Sequence, residues 1–314
     1  MTAGAVPADP STGCDSAEKA AVPTTQTLSL SSDGLSGTYI QHVPSGHLGR
    51  PLPLIVDLHG YAEPAAVQAT VSTWSTFADI HGAVAVTPQI TRAVQLWDTA
   101  LGGHDLAWFA SMLTTVETDV CIDRNRVYVD GYSDGAFMTS AIACQFADRV
   151  AAVAPVAGIQ APARCKPERP VPVIAFHGTA DPFVSYQGGL GQKALDLPAP
   201  DGSHRTLGQS GAGTSATGPT IPQQTTTWAR RNGCSGQPTD TIVASDVTLI
   251  RYRCPPGADV ELYRITGGGH AWPGSTFTRS ISSVVGRTTF SISADDLMWA
   301  FFLSHPLRTT TKQR

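Results

Sequence analysis

Short, continuous apolar runs alternate with segments of helical periodicity, and this alternation limits the chain to few folds. Each run suits a strand buried on both faces: LPLIVDLHG (52–60), GAVAVTP (82–88), RVYVDG (126–131), VAAVAPVAG (150–158) and VPVIAFHG (171–178). Helical spacing is found between them, at 71–82, 104–120 and 135–147. Strands that alternate with helices pair in parallel through right-handed crossovers. We therefore predict an α/β fold with a doubly wound, mostly parallel sheet and helices on both faces.

The flanking segments extend this pattern into one domain. TLSLSS and GTYIQHV, on either side of Asp33-Gly34, alternate like the two strands of a β-hairpin. The later elements predicted from the pattern are a helix at 223–232, strands near 240–245, 247–253 and 259–265, and a last helix near 293–304. We predict a flexible segment at 1–25, a single α/β domain at 26–308 that includes the 187–221 segment, and a flexible tail at 309–314.

Residues 187–221 are rich in Gly, Ser, Thr and Pro, with GQSGAGTSATGPT at the centre. A loop of this length without regular structure is either disordered or functional. The composition leaves two interpretations open, a plain surface insertion or a flap that binds substrate.

The charge pattern argues against several classes of partner. The 314 residues include 21 basic and 25 acidic side chains, which gives a net charge of −4 without a long run of either sign. Nucleic acid is therefore an unexpected partner, because a phosphate backbone calls for a basic stripe. No apolar run approaches the length of a membrane span. We expect a monomer that does not enter a membrane.

Six cysteines are spread along the chain, and none belongs to a C-x-x-C pair. An even number with irregular spacing favours disulfides and an oxidising compartment over a metal site. Cys234 and Cys254 bracket a short, turn-rich segment and are the first pair expected. The pairing of the others is open: Cys14, Cys121, Cys144 and Cys165. The N-terminus lacks the apolar core of a signal peptide, so we expect the mature form of a secreted protein.

The most specific motif is Gly131-Tyr132-Ser133-Asp134-Gly135, a G-x-S-x-G between a predicted strand and a predicted helix. A serine at such a turn is lifted above the sheet, and the glycines leave room for neighbouring backbone. The helix that follows directs its positive N-terminal end at the serine. We predict that Ser133 is a nucleophile.

A serine nucleophile needs a base, and the base needs a carboxylate that fixes its tautomer. Asp181 follows the strand VPVIAFHG, and His270 follows a strand and three glycines. Both therefore lie at carboxyl ends of strands, in the chain order Ser, Asp, His that this architecture uses. The weaker alternatives are His177, His204 and His305 for the base, and Asp201, Asp240 and Asp246 for the acid.

The tetrahedral intermediate of acyl transfer needs two N–H donors for its oxyanion. We predict the backbone amides of Asp134 and Tyr61 for this role, the second because it follows the early strand that ends in His59-Gly60. His59 itself is expected to be a structural hydrogen-bonding residue. Aromatic residues near these loops are candidates for the substrate-binding wall: Tyr61, Tyr132, Trp97 and Trp272, of which Trp272 is the best placed.

Three segments occur in order along the chain: GYSDGAFMTSAIACQFADRVAAVAPVAG, HGTADPFVSY and GGGHAWPG. As a set they resemble the extracellular poly(3-hydroxybutyrate) depolymerase and feruloyl/acetyl-xylan esterase group of α/β hydrolases. The resemblance covers roughly residues 35–190 and 222–304. It implies catalytic residues at Ser133, Asp181 and His270, and export from the cell. Position 134 is Asp where many relatives carry Asn, and position 136 is Ala where they often carry Gly. The 187–221 segment has no counterpart in the resemblance.

These observations predict a secreted serine esterase that needs no metal and no organic cofactor. The expected substrates are polyesters of the hydroxyalkanoate type, feruloyl or acetyl esters of polysaccharides, and by promiscuity synthetic aromatic polyesters. A serine peptidase or acyltransferase on the same scaffold is the main alternative. A non-catalytic binding protein that kept the fold is a further one.

Overall fold

The computed structural model describes residues 6–16, 23–46, 49–211 and 218–307. Their strands form one sheet of ten in the order β1-β2-β4-β3-β5-β6-β7-β10-β9-β8. The strands are β1 (Thr24–Ser32), β2 (Leu35–Val43), β3 (Leu52–Leu58), β4 (Val84–Ile90), β5 (Ile122–Tyr132), β6 (Ala152–Val156), β7 (Val173–Gly178), β8 (Ser235–Ala244), β9 (Val247–Arg253) and β10 (Val260–Ile265).

The centre of the sheet is parallel. Each strand pairs in parallel with the next within the run β4-β3-β5-β6-β7-β10. The β1–β2 hairpin and the β8–β9 hairpin add antiparallel strands at the two edges. The apolar runs predicted to be buried on both faces form this parallel centre, and the predicted α/β fold class is confirmed.

Helices cover both faces of the sheet. They are α1 (Gly13–Ser16), α2 (Ala65–Ser72), α3 (Trp74–His81), α4 (His104–Asp119), α5 (Asp134–Gln145), α6 (Leu207–Ser210), α7 (Ile221–Arg231), α8 (Thr276–Ser280), α9 (Ser282–Val285) and α10 (Ala294–Ser304). Residues of α4, α5 and α7 pack with Leu54 and Val56 of β3 in one apolar cluster. Residues of α2, α3 and α10 pack with Ile55 in a second. Because alternate residues of a strand point to opposite faces, these clusters are two layers of one core.

The predicted helix at 71–82 contains α3 and the last two residues of α2, and the rest of α2 was not predicted. Helix α2 ends at Ser72 and α3 begins at Trp74, because Thr73 between them has a left-handed backbone with φ of 55°. Apolar spacing alone does not reveal this break, since Trp74 and Ala78 are buried on the same side of the sheet as Val71.

Three disulfides join Cys14 to Cys121, Cys144 to Cys165, and Cys234 to Cys254. The last of these is the pair expected from the sequence, and the first two complete the pairing that the sequence left open. The Cys14 bond ties the N-terminal segment to the start of β5. Residues 6–16 therefore do not form the free lead-in expected over 1–25.

Residues 1–5 and 17–22 of the predicted flexible segment 1–25, and the whole predicted tail 309–314, lie outside the described residues. Among the described residues, no helix is both long and apolar enough to cross a membrane.

Candidate active site

Ser133 occupies the turn between β5 and α5, with φ of 58° and ψ of −115°. A serine with positive φ is strained and persists only where the surrounding structure holds it. The turn is held by the Ser133 amide, which donates to the carbonyl oxygen of Val156 at 2.9 Å, and by the Ser133 carbonyl, which accepts from the Ala136 amide at 3.0 Å. The side chain is half-buried. The fold therefore presents one hydroxyl at the carboxyl edge of the central strands.

The glycines of the G-x-S-x-G motif allow close backbone contacts beneath the serine. A Cβ on Gly135 would lie 2.2 Å from the carbonyl oxygen of Leu58 in β3, and a Cβ on Gly131 would lie 2.4 Å from the carbonyl oxygen of Gly135. Any side chain at either position would push α5 away from the sheet. The spacing of the motif thus follows from how tightly α5 crosses the end of β3.

His270 and Asp181 form a buried pair. Nδ1 of His270 lies 2.7 Å from Oδ2 of Asp181, and both residues are less than 10% exposed. Because an ionised carboxylate only accepts hydrogen bonds, Nδ1 carries the hydrogen and Nε2 keeps its lone pair. The two residues follow β7 and β10, which are parallel neighbours. Ser133, Asp181 and His270 therefore all follow the carboxyl ends of strands, on the same side of the sheet.

Asp181 is stabilised as the anion. Its Oδ1 accepts the backbone amides of Phe183 and Val184 at 2.8 and 2.9 Å. Burial acts to raise the pKa of Asp181, but the charge and hydrogen bond of His270 and the further contributions of His177 and Val184 outweigh it, and the pKa is lowered. The carboxylate therefore stays ionised and keeps the imidazole oriented.

The loop that carries His270 is fixed by its backbone. The Gly269 amide donates to the backbone carbonyl oxygen of Arg287 at 2.9 Å, and the His270 amide donates to that of Val285 at 2.6 Å. The hydroxyl of Tyr132, the residue before Ser133, donates to the His270 carbonyl at 2.5 Å. Phe183 packs against the imidazole, with ring centroids 5.0 Å apart.

The two amides predicted to bind an oxyanion lie on loops that meet Ser133. Neither the Tyr61 nor the Asp134 amide donates to another group among the described residues. A Cβ on Gly60 would lie 3.3 Å from that of Ser133, so the Tyr61 loop abuts the nucleophile turn. The Gly60 amide donates to Glu63 at 2.8 Å, and this bond holds the loop.

The Asp134 side chain has a role of its own, because its carboxylate accepts the Trp97 amide at 2.8 Å. Burial raises the pKa of Asp134 to about 7. This bond fastens the loop after β4 to the nucleophile turn.

Four aromatic residues were predicted to form the substrate-binding wall, and three of them are buried instead. Trp272 is fully buried and donates through Nε1 to Asp295 at 2.8 Å. Tyr132 is buried against His270, and Trp97 is buried against His59 with ring centroids 4.6 Å apart. Only Tyr61 is partly open to solvent. Position in the sequence near an active-site loop does not reveal which way a ring points, and these three rings point into the core.

Of the alternatives for the base, His177 and His305 have other partners, and His204 is exposed. His177 Nε2 donates to the Val184 carbonyl at 2.9 Å and lies 3.4 Å from Asp181, so it supports the acid loop. His305 pairs with Asp259, which precedes β10 and so lies at the amino ends of the parallel strands.

The alternative acids form ion pairs with arginines. Asp201 pairs with Arg205, Asp240 with Arg264 and Asp246 with Arg287. None of them contacts His270 among the described residues.

His59 donates through Nδ1 to the Gly60 carbonyl at 2.8 Å. Burial lowers the pKa of His59 to about 4, so the imidazole is neutral near pH 7. This arrangement suits the structural hydrogen-bonding role expected from the sequence.

Several contributors to the site were not apparent from the sequence. Glu63, Phe183 and Val285 hold the loops of Gly60 and His270, and Tyr132 holds the base by its backbone. Two of these residues could have been suspected because they are close in sequence to predicted site residues. Phe183 stands two residues after Asp181, and Tyr132 one residue before Ser133. No signal identifies Val285, which meets His270 only through the fold.

A sheet of this order, with a strained serine turn and an Asp–His pair at the carboxyl ends of its strands, is typical of the α/β-hydrolase fold. A family model described as esterase PHB depolymerase matches residues 37–183. Feruloyl esterase B of Piromyces equi is 28% identical over 240 residues, which are 73% of this chain and 41% of that protein. A bifunctional acetylxylan esterase/xylanase of Neocallimastix patriciarum is 34% identical over 135 residues, 43% of this chain and 20% of that protein.

Among solved structures, an acetyl xylan esterase from Aspergillus awamori has the same fold, with a TM-score of 0.57 at 14% identity, covering 83% of this chain and 98% of that one. The chain spans less than half of the length of the two curated relatives described above. In sequence it is similar to poly(3-hydroxybutyrate) depolymerases and to feruloyl and acetylxylan esterases.

Proposed function

We propose that the chain is a serine esterase that hydrolyses carboxylic esters through an acyl-enzyme, with Ser133 as nucleophile, His270 as base and Asp181 as the acid that orients it. The observation that carries the proposal is the 2.7 Å contact between Asp181 and His270 Nδ1 beside the strained Ser133 turn. It leaves Nε2 of His270 as the proton acceptor.

In the first step, Ser133 Oγ attacks the ester carbonyl carbon while its proton passes to His270 Nε2. The carbon–oxygen bond to the alcohol then breaks, and the alcohol leaves with that proton. In the second step, water gives a proton to His270 and adds to the acyl carbon, and the carboxylic acid leaves as Ser133 regains its proton. The amides of Tyr61 and Asp134 stabilise the oxyanion in both steps.

The names of the relatives direct the choice of substrate. Feruloyl and acetyl esters of polysaccharides and hydroxyalkanoate polyesters are the first candidates, and synthetic aromatic polyesters follow by promiscuity. Three disulfides favour an oxidising compartment, and we propose that the protein is exported and acts as a monomer.

Labelling with an alkyl fluorophosphonate, followed by peptide mass spectrometry, tests the nucleophile. We expect one adduct, on Ser133. Parallel assays with matched p-nitrophenyl esters and p-nitroanilides separate an esterase from a peptidase, and we expect hydrolysis of the esters alone. A protein that neither labels nor hydrolyses any ester would be a binding protein. Faster cleavage of the anilides would assign it to the peptidases.

A further inference from the structure

The described part of the Gly/Ser/Thr-rich insertion, residues 187–211, is folded. We call it the strap. It contains a 3₁₀ turn at Gln192–Asp196, a short antiparallel bridge between Pro198 and Thr206, and helix α6. Thr206 caps α6 in a reciprocal arrangement with Gln209. Its composition predicted a loop without regular structure, but backbone hydrogen bonds and buried alanines give it a fixed shape.

One anchor joins the strap to the predicted oxyanion loop. The Tyr61 hydroxyl donates to the carbonyl oxygen of Pro198 at 2.8 Å, across a sequence separation of 137 residues. Gly202 lies against the loop after β4, where an added Cβ would stand 2.8 Å from that of Ala93. The same residue, Tyr61, thus offers its amide beside Ser133 and its hydroxyl to the strap.

A second anchor joins the strap to the loop of the base. Lys193 Nζ donates to the carbonyl oxygens of Ser283 and Val284 at 2.8 and 2.7 Å, at the end of α9. The next residue, Val285, accepts the His270 amide at 2.6 Å. A cation at the last carbonyls of a helix turn is a favourable pairing. The strap therefore runs from the oxyanion loop to the segment that supports His270.

Gly188, Gly189 and Leu190 of the strap line one side of a pocket near the Ser133 turn. The pocket has a volume of about 230 Å³, and its apolar lining includes Phe137, Ile159, Val184, Leu190 and Ile221. Two observations tie it to the site. A Cβ on Gly158, the neighbour of Ile159, would lie 2.8 Å from the Ser133 carbonyl oxygen and 3.0 Å from the Phe137 ring. In addition, the Val184 amide donates to Asp181.

We propose that this pocket receives the acyl group of the ester, and that Tyr61 and Lys193, by anchoring the strap, set the largest acyl group that fits. The proposal rests on the proposed esterase function. A cavity of about 150 Å³ holds a benzene molecule, so a pocket of about 230 Å³ accepts a short aliphatic acyl group or one aromatic ring. The strap residues that line the pocket, Gly188 to Leu190, stand three to five residues before Lys193, so release of an anchor loosens this wall and admits longer chains.

The test compares Tyr61→Phe and Lys193→Met with matched controls in which a similar group is removed elsewhere. Tyr252→Phe removes a hydroxyl that pairs with Thr226, and Lys166→Met removes an exposed amine. The measured quantity is the ratio of kcat/KM for p-nitrophenyl octanoate to that for p-nitrophenyl acetate. We expect this ratio to rise at least about fivefold in each anchor variant and to stay unchanged in the controls. An unchanged ratio in both anchor variants overturns the proposal.

Hydrogen–deuterium exchange gives a readout that does not depend on activity. We expect faster exchange over residues 192–210 in both anchor variants, with the controls like the wild type. Unchanged exchange there contradicts the anchoring. A wild-type protein without any ester hydrolysis refutes the proposed function and the acyl pocket together, whereas hydrolysis with an unchanged ratio refutes the pocket alone.

Discussion

The hydroxyl of Tyr132 donates to the carbonyl oxygen of His270 at 2.5 Å, so the residue before Ser133 holds the backbone of His270. The two ring centroids lie 4.9 Å apart. This contact links the ends of β5 and β10, which are separated by β6 and β7 in the sheet. The distance between Ser133 and His270 thus depends on one buried hydrogen bond as well as on the sheet.

Tyr132→Phe removes that bond and keeps the ring. We expect kcat on a small ester to fall about tenfold with little change in KM, because the imidazole is less well positioned while the substrate contacts remain. Stability should fall by about 1–2 kcal/mol, since the His270 carbonyl loses a buried donor. Steady-state kinetics and urea unfolding measure the two effects. A kcat within twofold of wild type, at the expected loss of stability, would reduce Tyr132 to a packing residue.

Asp181→Asn keeps the shape of the acid and removes its charge. The amide no longer fixes the hydrogen of His270 on Nδ1, so we expect kcat to fall on the order of 10³- to 10⁴-fold. Stopped assays at high enzyme concentration measure the residual rate. Asp240→Asn is the matched control, because it alters an exposed ion pair with Arg264. Equal rates for Asp181→Asn and the control would move the acid to another residue.

Asp57 and Asp130 are opposite each other in β3 and β5, and both are fully buried. Burial raises the pKa of Asp57 to about 6 and, together with the charge of Asp57, raises that of Asp130 well above its ordinary range. The folded state therefore holds protons that the unfolded chain releases near pH 4, and the free energy of unfolding falls as the pH rises from about 4 through 6.

Asp130→Asn removes one of these titrating groups. We expect a free energy of unfolding about 1–3 kcal/mol above wild type at pH 8, and a difference near zero at pH 4.5. Urea denaturation at the two pH values measures it, with the exposed Asp148→Asn as control. A variant that is less stable than wild type at both pH values would show that the carboxyl pair stabilises the fold in its ionised form.

The parallel centre of the fold could be predicted because buried parallel strands and the helices between them leave distinct patterns. Ser133 could be predicted for a steric reason, since the glycines at 131 and 135 are required where α5 crosses β3. The contact between Asp181 and His270 could be expected from their positions at strand ends.

Side-chain direction could not be predicted in the same way. Trp272 stands two residues after His270, yet it faces Asp295 in the core, because the loop turns between them. The strap was unpredictable for another reason. Its anchors, Tyr61 to Pro198 and Lys193 to Ser283, join residues 137 and 90 positions apart, and nothing local in the sequence marks either partner.

The most direct test of the account is the ester hydrolysis rate of Ser133→Ala, measured beside wild type after near-ultraviolet circular dichroism has shown that both are folded. The account predicts a loss of at least about 10⁴-fold in kcat, because the other groups act only through the serine, together with no fluorophosphonate adduct. A variant that keeps a tenth or more of the wild-type rate contradicts it, and some other group is then the nucleophile.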